Sequence, residues 1–383
     1  MIFGGIYKLF FGIFAFDMRR LLVISLCILL ASCTRPAEVR MAEGLIDTTD
    51  TLSCGLPRME GVKVVEVFRS NGYVNNVLLT QFRDRYYCMW QQSEQDEDTP
   101  DTGVWMSESD DGSDWAEPVI LAAPNADTFA SPGGWLQRGD SLIAFINRVC
   151  AADRSQGGTT YYTSTANGMD WTPEKPVLMA DGTPVDGIFE QDPLLLPRGR
   201  TVGAVHFRPG NRLNPVYTDD PSAVRGWKMA GFPEGDGKPI EPSQYLAPDG
   251  RLVLLMRDQN SSFVKLVSYS KDNGETWSAP VKTNIPDSRS KQCAGTLPDG
   301  RSFWVGNPTG NKSRRILALA LSQDGYLFNQ AYTLLSSQDL PAQRTKGRYK
   351  TLGYNYPKAF VQEENLWIGL SINKEDVVLV KIP

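Results

Sequence analysis

One histidine in 383 residues is the sharpest shortage in this chain. It excludes a His-rich zinc site and allows a Ser–His pair at one place at most. Lys and Arg never form a block, and the net charge is −5, so nothing offers the electrostatic footprint that a phosphate backbone requires. Nucleic-acid binding is thereby excluded. The six cysteines contain no CxxC spacing, which removes the usual zinc pattern. No metal or cofactor is expected. Long apolar runs with a 3.6-residue period are also missing; short runs of Val, Leu, Ile, Phe, Tyr and Trp alternate instead with Gly, Asp, Asn and Pro clusters. That pattern is all-β. What the chain does have is apolar mass: 41% hydrophobic and 10% aromatic residues, including nine Trp, suffice for a sizeable core.

Residues 1–33 read as an address. Arg19 and Arg20 precede the apolar run Leu21–Ala31, which is shorter than the ~20 residues of a spanning helix. Met18 opens a leader of ordinary length, so the start of translation is expected there. The ending Leu30-Ala31-Ser32-Cys33 resembles a bacterial lipobox, implying a signal peptide over 1–32, lipidation at Cys33 and a protein held to the cell envelope by its lipid alone. Residues 33–61 are polar and aperiodic, and a tether is expected there. Cys88 and Cys150 sit in apolar strand-like runs, where buried free thiols are expected.

A repeat organises the remainder, residues 62–383. Ser270-Lys271-Asp272-Asn273-Gly274-Glu275-Thr276-Trp277 fits SxDxGxTW at every defined position, and ESDDGSDW, STANGMDW and LSQDGYLF follow the same frame. The closing aromatics Trp115, Trp171, Trp227, Trp277 and Phe328 are separated by 56, 56, 50 and 51 residues. Such a spacing is the period of a four-stranded propeller blade. Hairpin signals at Asp249-Gly250 and Asp299-Gly300 divide the fourth and fifth repeats into strands, and earlier blades begin near Val74, Phe129 and Phe189. The last repeat, YNYPKAFVQ, NLWIGLSIN and DVVLVKIP, supplies only three strands. VKVVEVF at 62–68 can complete it. The sequence therefore predicts a six-bladed β-propeller of four-stranded antiparallel blades closed by N- and C-terminal strand pairing, and the division into two or three domains of about 150 residues fails.

Strand polarity then locates a site. In an antiparallel blade the start of the innermost strand and the end of the second strand share one face around the central channel. The first group supplies Asn75, Asn76, Ser131, Glu190, Gln191, Asp192, Glu241, Lys291, Gln292, Tyr354, Tyr356 and Lys358. The second supplies Gln91, Asn147, Arg148, His206, Arg208, Arg257, Asn307 and Lys374. Turn residues are polar in any case, so the informative part is the Arg, Glu, Asn and Gln inside strand-like runs.

The Asp-box, the six repeats and EPSQYLAPDGRLVLLMRDQN are similar to the sialidase superfamily over residues 62–383. That resemblance implies hydrolysis of a terminal acidic sugar by a Tyr nucleophile with a Glu partner, an Asp acid/base and arginines around a carboxylate. Position by position, it implies Glu241 as the glutamate, Arg257 as a clamp arginine, Arg315 or its neighbour Arg314 as another, and Tyr356 or Tyr354 as nucleophile. The acid falls in SEQDEDTPDTG, where Asp98 is preferred to Asp96 and Asp101. The family's first arginine, in an Arg-Ile-Pro motif, is replaced here by Val74-Asn75-Asn76-Val77, and the nearest arginine is Arg69 on the preceding strand.

A second resemblance, carried by YTDDP, PDSRSKQCAGTLPDG, GNP, LGYNYPKAFV and INKEDV, is to the propellers of α-L-rhamnosidases acting on rhamnose linked to glucuronic acid, and of ulvan lyases. Those enzymes use a catalytic histidine and usually have seven blades. His206, in TVGAVHF, is the sole imidazole, and both a rim role and a catalytic role stay open for it. The leading expectation is an exo-acting glycoside hydrolase removing a terminal acidic or uronate-linked sugar; a polysaccharide lyase or rhamnosidase, and a glycan-binding lipoprotein without catalysis, are the alternatives. A glycan is the expected partner and a monomer the expected state.

Overall fold

The computed structural model describes residues 38–383 apart from 154, 156 and 208–211. The leader, Cys33 and Arg208 lie outside the described residues. Six antiparallel sheets follow one another along the chain, with no helix among the described residues. Blade 1 comprises Tyr73–Phe82, Arg85–Ser93, Gly103–Ser109 and Val119–Ala122, paired in chain order. Blades 2, 4 and 5 repeat the plan, starting at Thr128, Pro239 and Cys293. Blade 3 departs from it: its innermost strand is broken into Ile188–Phe189 and Leu194–Leu195, both paired to Thr201–Phe207. Pro193 stands in the gap and cannot donate to a ladder.

Blade 6 is completed as expected: Lys63–Arg69 runs antiparallel to Asp376–Ile382, with Val64 opposite Val380. Six apolar clusters fill the seams, one between each neighbouring pair of blades, so the core is a ring of wedges. Trp227, Trp277 and Phe328 are buried in these wedges; Trp115 and Trp171 are only partly covered.

Each repeat marker ends its wedge with a hydroxyl and an Asx two residues apart. The pairs are Ser109/Asp111, Thr165/Asn167, Thr218/Asp220, Ser270/Asp272 and Ser322/Asp324. In the fourth blade Asp272 accepts from the Thr276 amide at 2.9 Å and from its hydroxyl at 2.5 Å, and the Ser270 Oγ accepts from the Gly274 amide. Gly274 turns at φ +90°, and a Cβ there would lie 2.8 Å from Val202. Few residues other than glycine tolerate both conditions.

The expected tether differs from Val39 onward. Arg40–Met41 pairs in parallel with Leu327–Phe328 on the outer edge of blade 5. Val39, Met41, Cys54 and Leu56 are buried in the wedge between blades 4 and 5. Four well-placed anchors in an irregular segment achieve this without any period. Of the expected buried thiols, Cys88 is buried and Cys150 is half-buried.

Two outcomes follow. A chain beginning at Glu60 should lose about 4 kcal/mol or more of stability in urea relative to one beginning at Glu38, since four apolar side chains lose their burial at roughly 1–3 kcal/mol each. Asp272→Asn should cost about 1 kcal/mol at neutral pH through weakened hydrogen bonds. Bonds from Ser270 and Thr276 outweigh partial burial and hold the Asp272 carboxyl below its ordinary 3.8, so its charge-linked stability is complete above that pH. The gap between variant and wild type should close as the pH falls below it.

Candidate functional site

Four innermost strands carry a register shift near their start: between Asn75 and Leu78, Pro132 and Gly134, Ile240 and Ser243, and Asn355 and Lys358. In three of them the residue inside the shift has a left-handed backbone: Asn76 at φ +53°, Glu241 at +49° and Tyr356 at +55°. A bulge turns a side chain away from its place in the ladder, and a non-glycine residue at positive φ is a strained feature associated with functional sites. All three side chains line one cavity of about 290 Å³ at the ring's centre. Blades 2 to 5 add Ser131, Asn147, Glu190, His206, Arg257 and Lys291 to its wall.

Tyr356 donates its hydroxyl to Glu241 Oε1 at 2.8 Å, and Arg257 Nη1 donates to Glu241 Oε2 at 2.8 Å. All three are buried. Burial first, and then the Glu241 charge, push the Tyr356 hydroxyl well above its usual 10, while Arg257 and Arg314 oppose them. The phenol therefore stays protonated against its carboxylate partner. Cations crowd its ring: Lys291 Nζ lies 5.0 Å from the centroid, Arg314 Cζ 5.3 Å and Lys374 Nζ 5.4 Å. Arg257 Nη2 and Arg289 Nη2 share Gln259 Oε1 at 2.9 Å each, and Arg314 donates to the Arg289 carbonyl and to Asn355. Each of these three guanidiniums keeps a buried Nε without a partner. Beneath them Lys265 bonds Asp287 at 2.8 Å, and Asp287 in turn accepts from the Arg289 amide, which fixes the loop bearing Arg289 and Lys291.

Opposite chemistry gathers around Glu190. His206 Nδ1 lies 2.8 Å from its Oε1, Lys291 Nζ is 3.3 Å from its Oε2, and Lys358 bonds its carbonyl. Burial raises the Glu190 carboxyl, but Lys291, His206 and Lys358 together bring it well below the ordinary range. Lys291 also donates to Asn76 Oδ1 at 2.8 Å, and Asn76 Nδ2 to Gln91. In the acidic loop Asp98 lines the cavity at φ +59° and accepts from Gln91 at 3.2 Å. Asp96 instead receives the Arg348 and Tyr349 amides, and Asp101 the Glu94 amide, so both hold loops.

Several expected residues lie elsewhere. Tyr354 is in the seam between blades 5 and 6, its hydroxyl donated to the Ser336 carbonyl, so Tyr356 is the cavity's tyrosine. Arg315 is exposed and its neighbour Arg314 buried. Arg148 is paired with Glu174 at the edge of blade 2 and does not line the cavity. Asn75 accepts from Ser371 between blades 1 and 6. Gln191, Asp192 and Lys358 line a second, smaller chamber in the channel. There burial lifts Asp192 to about 6 against the pull of its bond from the Trp135 amide, and burial lowers Lys358 to about 7. Arg69 pairs with Glu66 at the surface.

Glu97 and Arg289 were not among the expected site residues. Lys374 donates to Glu97 at 2.7 Å, and although burial raises Glu97, Lys374 and Tyr73 hold its carboxyl below the ordinary range. Spacing could not single out one acid from the five in SEQDED and its continuation. A usable signal for the bulges did exist: Pro132, Pro242 and Pro357 interrupt runs that otherwise read as strands.

Solved structures similar to this chain include sialidases and trans-sialidases. One titled "Sialidase" superposes with a TM-score of 0.68 at 18% identity, covering 90% of this chain and 35% of its own. The Trypanosoma rangeli sialidase gives 0.60 at 16%, over 84% and 59%. An intramolecular trans-sialidase from Ruminococcus gnavus, solved with oseltamivir carboxylate, gives 0.60 at 11%, over 83% and 97%. This chain thus spans about a third of the first of these and nearly all of the last. At these identities the likeness is one of fold. No curated protein sequence matches. The model of the BNR repeat-like domain, however, matches residues 84–368, well over half of the chain. That match makes the chain a member of the BNR repeat-like family.

Proposed function

We propose that this protein is an exo-acting glycoside hydrolase that removes a terminal acidic or uronate-linked sugar. The observation that carries the reading is the 2.8 Å bond from Tyr356 to Glu241 inside a ring of cations. A neutral phenol can approach the anomeric carbon of an anionic sugar without charge repulsion. As its oxygen attacks, Glu241 takes the proton, and a carboxylic acid across the bond protonates the leaving oxygen. Glu97 is the ionised partner of Lys374, and Asp98, which also lines the cavity, is assigned as the acid. Arg257 in the cavity wall, linked through Gln259 to Arg289, suits a sugar carboxylate, which arginine matches in charge and geometry. Neither Lys374 nor Lys291 reproduces the missing first arginine, which favours an acidic sugar other than sialic acid. Lipidation at Cys33 would place this activity at the envelope.

Incubation of the full chain with sialylated, glucuronate-capped and rhamnose-capped glycans, followed by product chromatography, tests the proposal. Release of a saturated terminal sugar is expected; an unsaturated uronate would indicate elimination, and binding without turnover on every glycan would remove the hydrolase reading. Glu241→Gln and Tyr356→Phe should each lower kcat/KM by about a hundred- to ten-thousand-fold. Tyr354→Phe and Arg315→Ala should leave it unchanged within about twofold, since neither group reaches the cavity. Because the Tyr356 hydroxyl lies well above its usual value, the rate should show no rise from phenolate formation between about pH 6 and 9.

A further inference from the structure

The Glu190–His206 pair has no part in the chemistry assigned to Tyr356, Glu241 and Asp98, yet His206 is buried and lines the same cavity. Its register position opposite Ile188, beside the broken innermost strand of blade 3, holds Nδ1 at 2.8 Å from Glu190 Oε1. Glu190 is kept ionised by Lys291, His206 and Lys358, and an ionised carboxylate only accepts, so Nδ1 carries a proton. That fixes the ring and leaves Nε2 as the variable atom. Nε2 is covered from bulk solvent and has no partner in the protein. Leaving a buried polar atom unsatisfied is costly, and the His206 ring forms part of the cavity wall, from which a bound group can supply the missing partner.

A hydroxyl fits this atom better than other groups, because it can donate to a bare Nε2 or accept from a protonated one. A second carboxylate would meet the Glu190 charge. We propose that His206 Nε2 hydrogen-bonds a ring hydroxyl of the sugar whose acidic end lies toward Arg257, making His206 a specificity-determining residue. This rests on the acidic-sugar reading above. It divides the cavity into a side that reads charge, from blades 4 to 6, and a side that reads a hydroxyl, from blade 3. Lys291 joins the two, touching Glu190 and stacking near Tyr356.

The lone histidine makes the test direct, because tag-free full-length protein labelled with ¹⁵N-histidine gives one pair of ring signals. D-glucuronate and N-acetylneuraminate, each with a carboxylate and ring hydroxyls, are titrated with acetate as the control without hydroxyls. The Nε2 signal should move with a sugar acid and stay in place with acetate. His206→Asn, whose amide can still donate to Glu190, should weaken sugar-acid binding about 10- to 100-fold by calorimetry with an unchanged melting point. His206→Gln, which reaches further toward the Nε2 position, should recover part of it. Sugar-acid binding with an unmoved Nε2 signal, or unweakened binding in His206→Asn, overturns this proposal alone. Failure of both sugar acids to bind the wild type overturns it together with the acidic-sugar reading.

Discussion

The antiparallel pairing of Lys63–Arg69 with Asp376–Ile382 is the constraint on which the other features rest. A propeller has no layer to spare: each blade buries its faces against its two neighbours, so an open ring would expose two blade faces at once. The closing pair joins the first strand of the ring to the last and completes the seam that holds Val67, Trp90, Trp367 and Leu379. The central cavity takes its wall from every blade and exists only while the ring is shut.

Within that frame the site concentrates charge where burial makes charge expensive. Glu241 with Arg257, Glu190 with Lys291 and Asp287 with Lys265 are buried ion pairs. Such pairs contribute little net stability over apolar packing, because desolvation offsets attraction. Their value here is placement. Each fixes one cation or one carboxylate in a narrow range of positions, and the strained backbone at Asn76, Glu241 and Tyr356 adds to the cost. The six apolar seams carry the stability that these positions consume.

The sequence displayed the ring and the face of the site because both follow from strand direction and a blade-length period. Glu241, Tyr356, Arg257, Asn76, Lys291 and His206 converge as polarity alone requires. Side-chain direction was harder to read. Tyr354 and Tyr356 are two residues apart and would share a face in a regular strand, but the shift between Asn355 and Lys358 sends one to the seam and the other to the cavity. Arg314 precedes a strand rather than lying in one, so alternation could not separate it from Arg315. Residues 39–59 gave no sign of docking because Val39, Met41, Cys54 and Leu56 sit at unequal spacings in an irregular path.

The bulges have a wider meaning for the ring. A residue inside a bulge opposes no ladder partner, so its identity is uncoupled from the pairing that holds the blade together. Asn76, Glu241 and Tyr356 occupy matching stations in blades 1, 4 and 6, yet present an amide, a carboxylate and a phenol. The scaffold is thus a carousel of sockets, in which exchanging one side chain rewrites the chemistry at the hub and leaves the rim untouched.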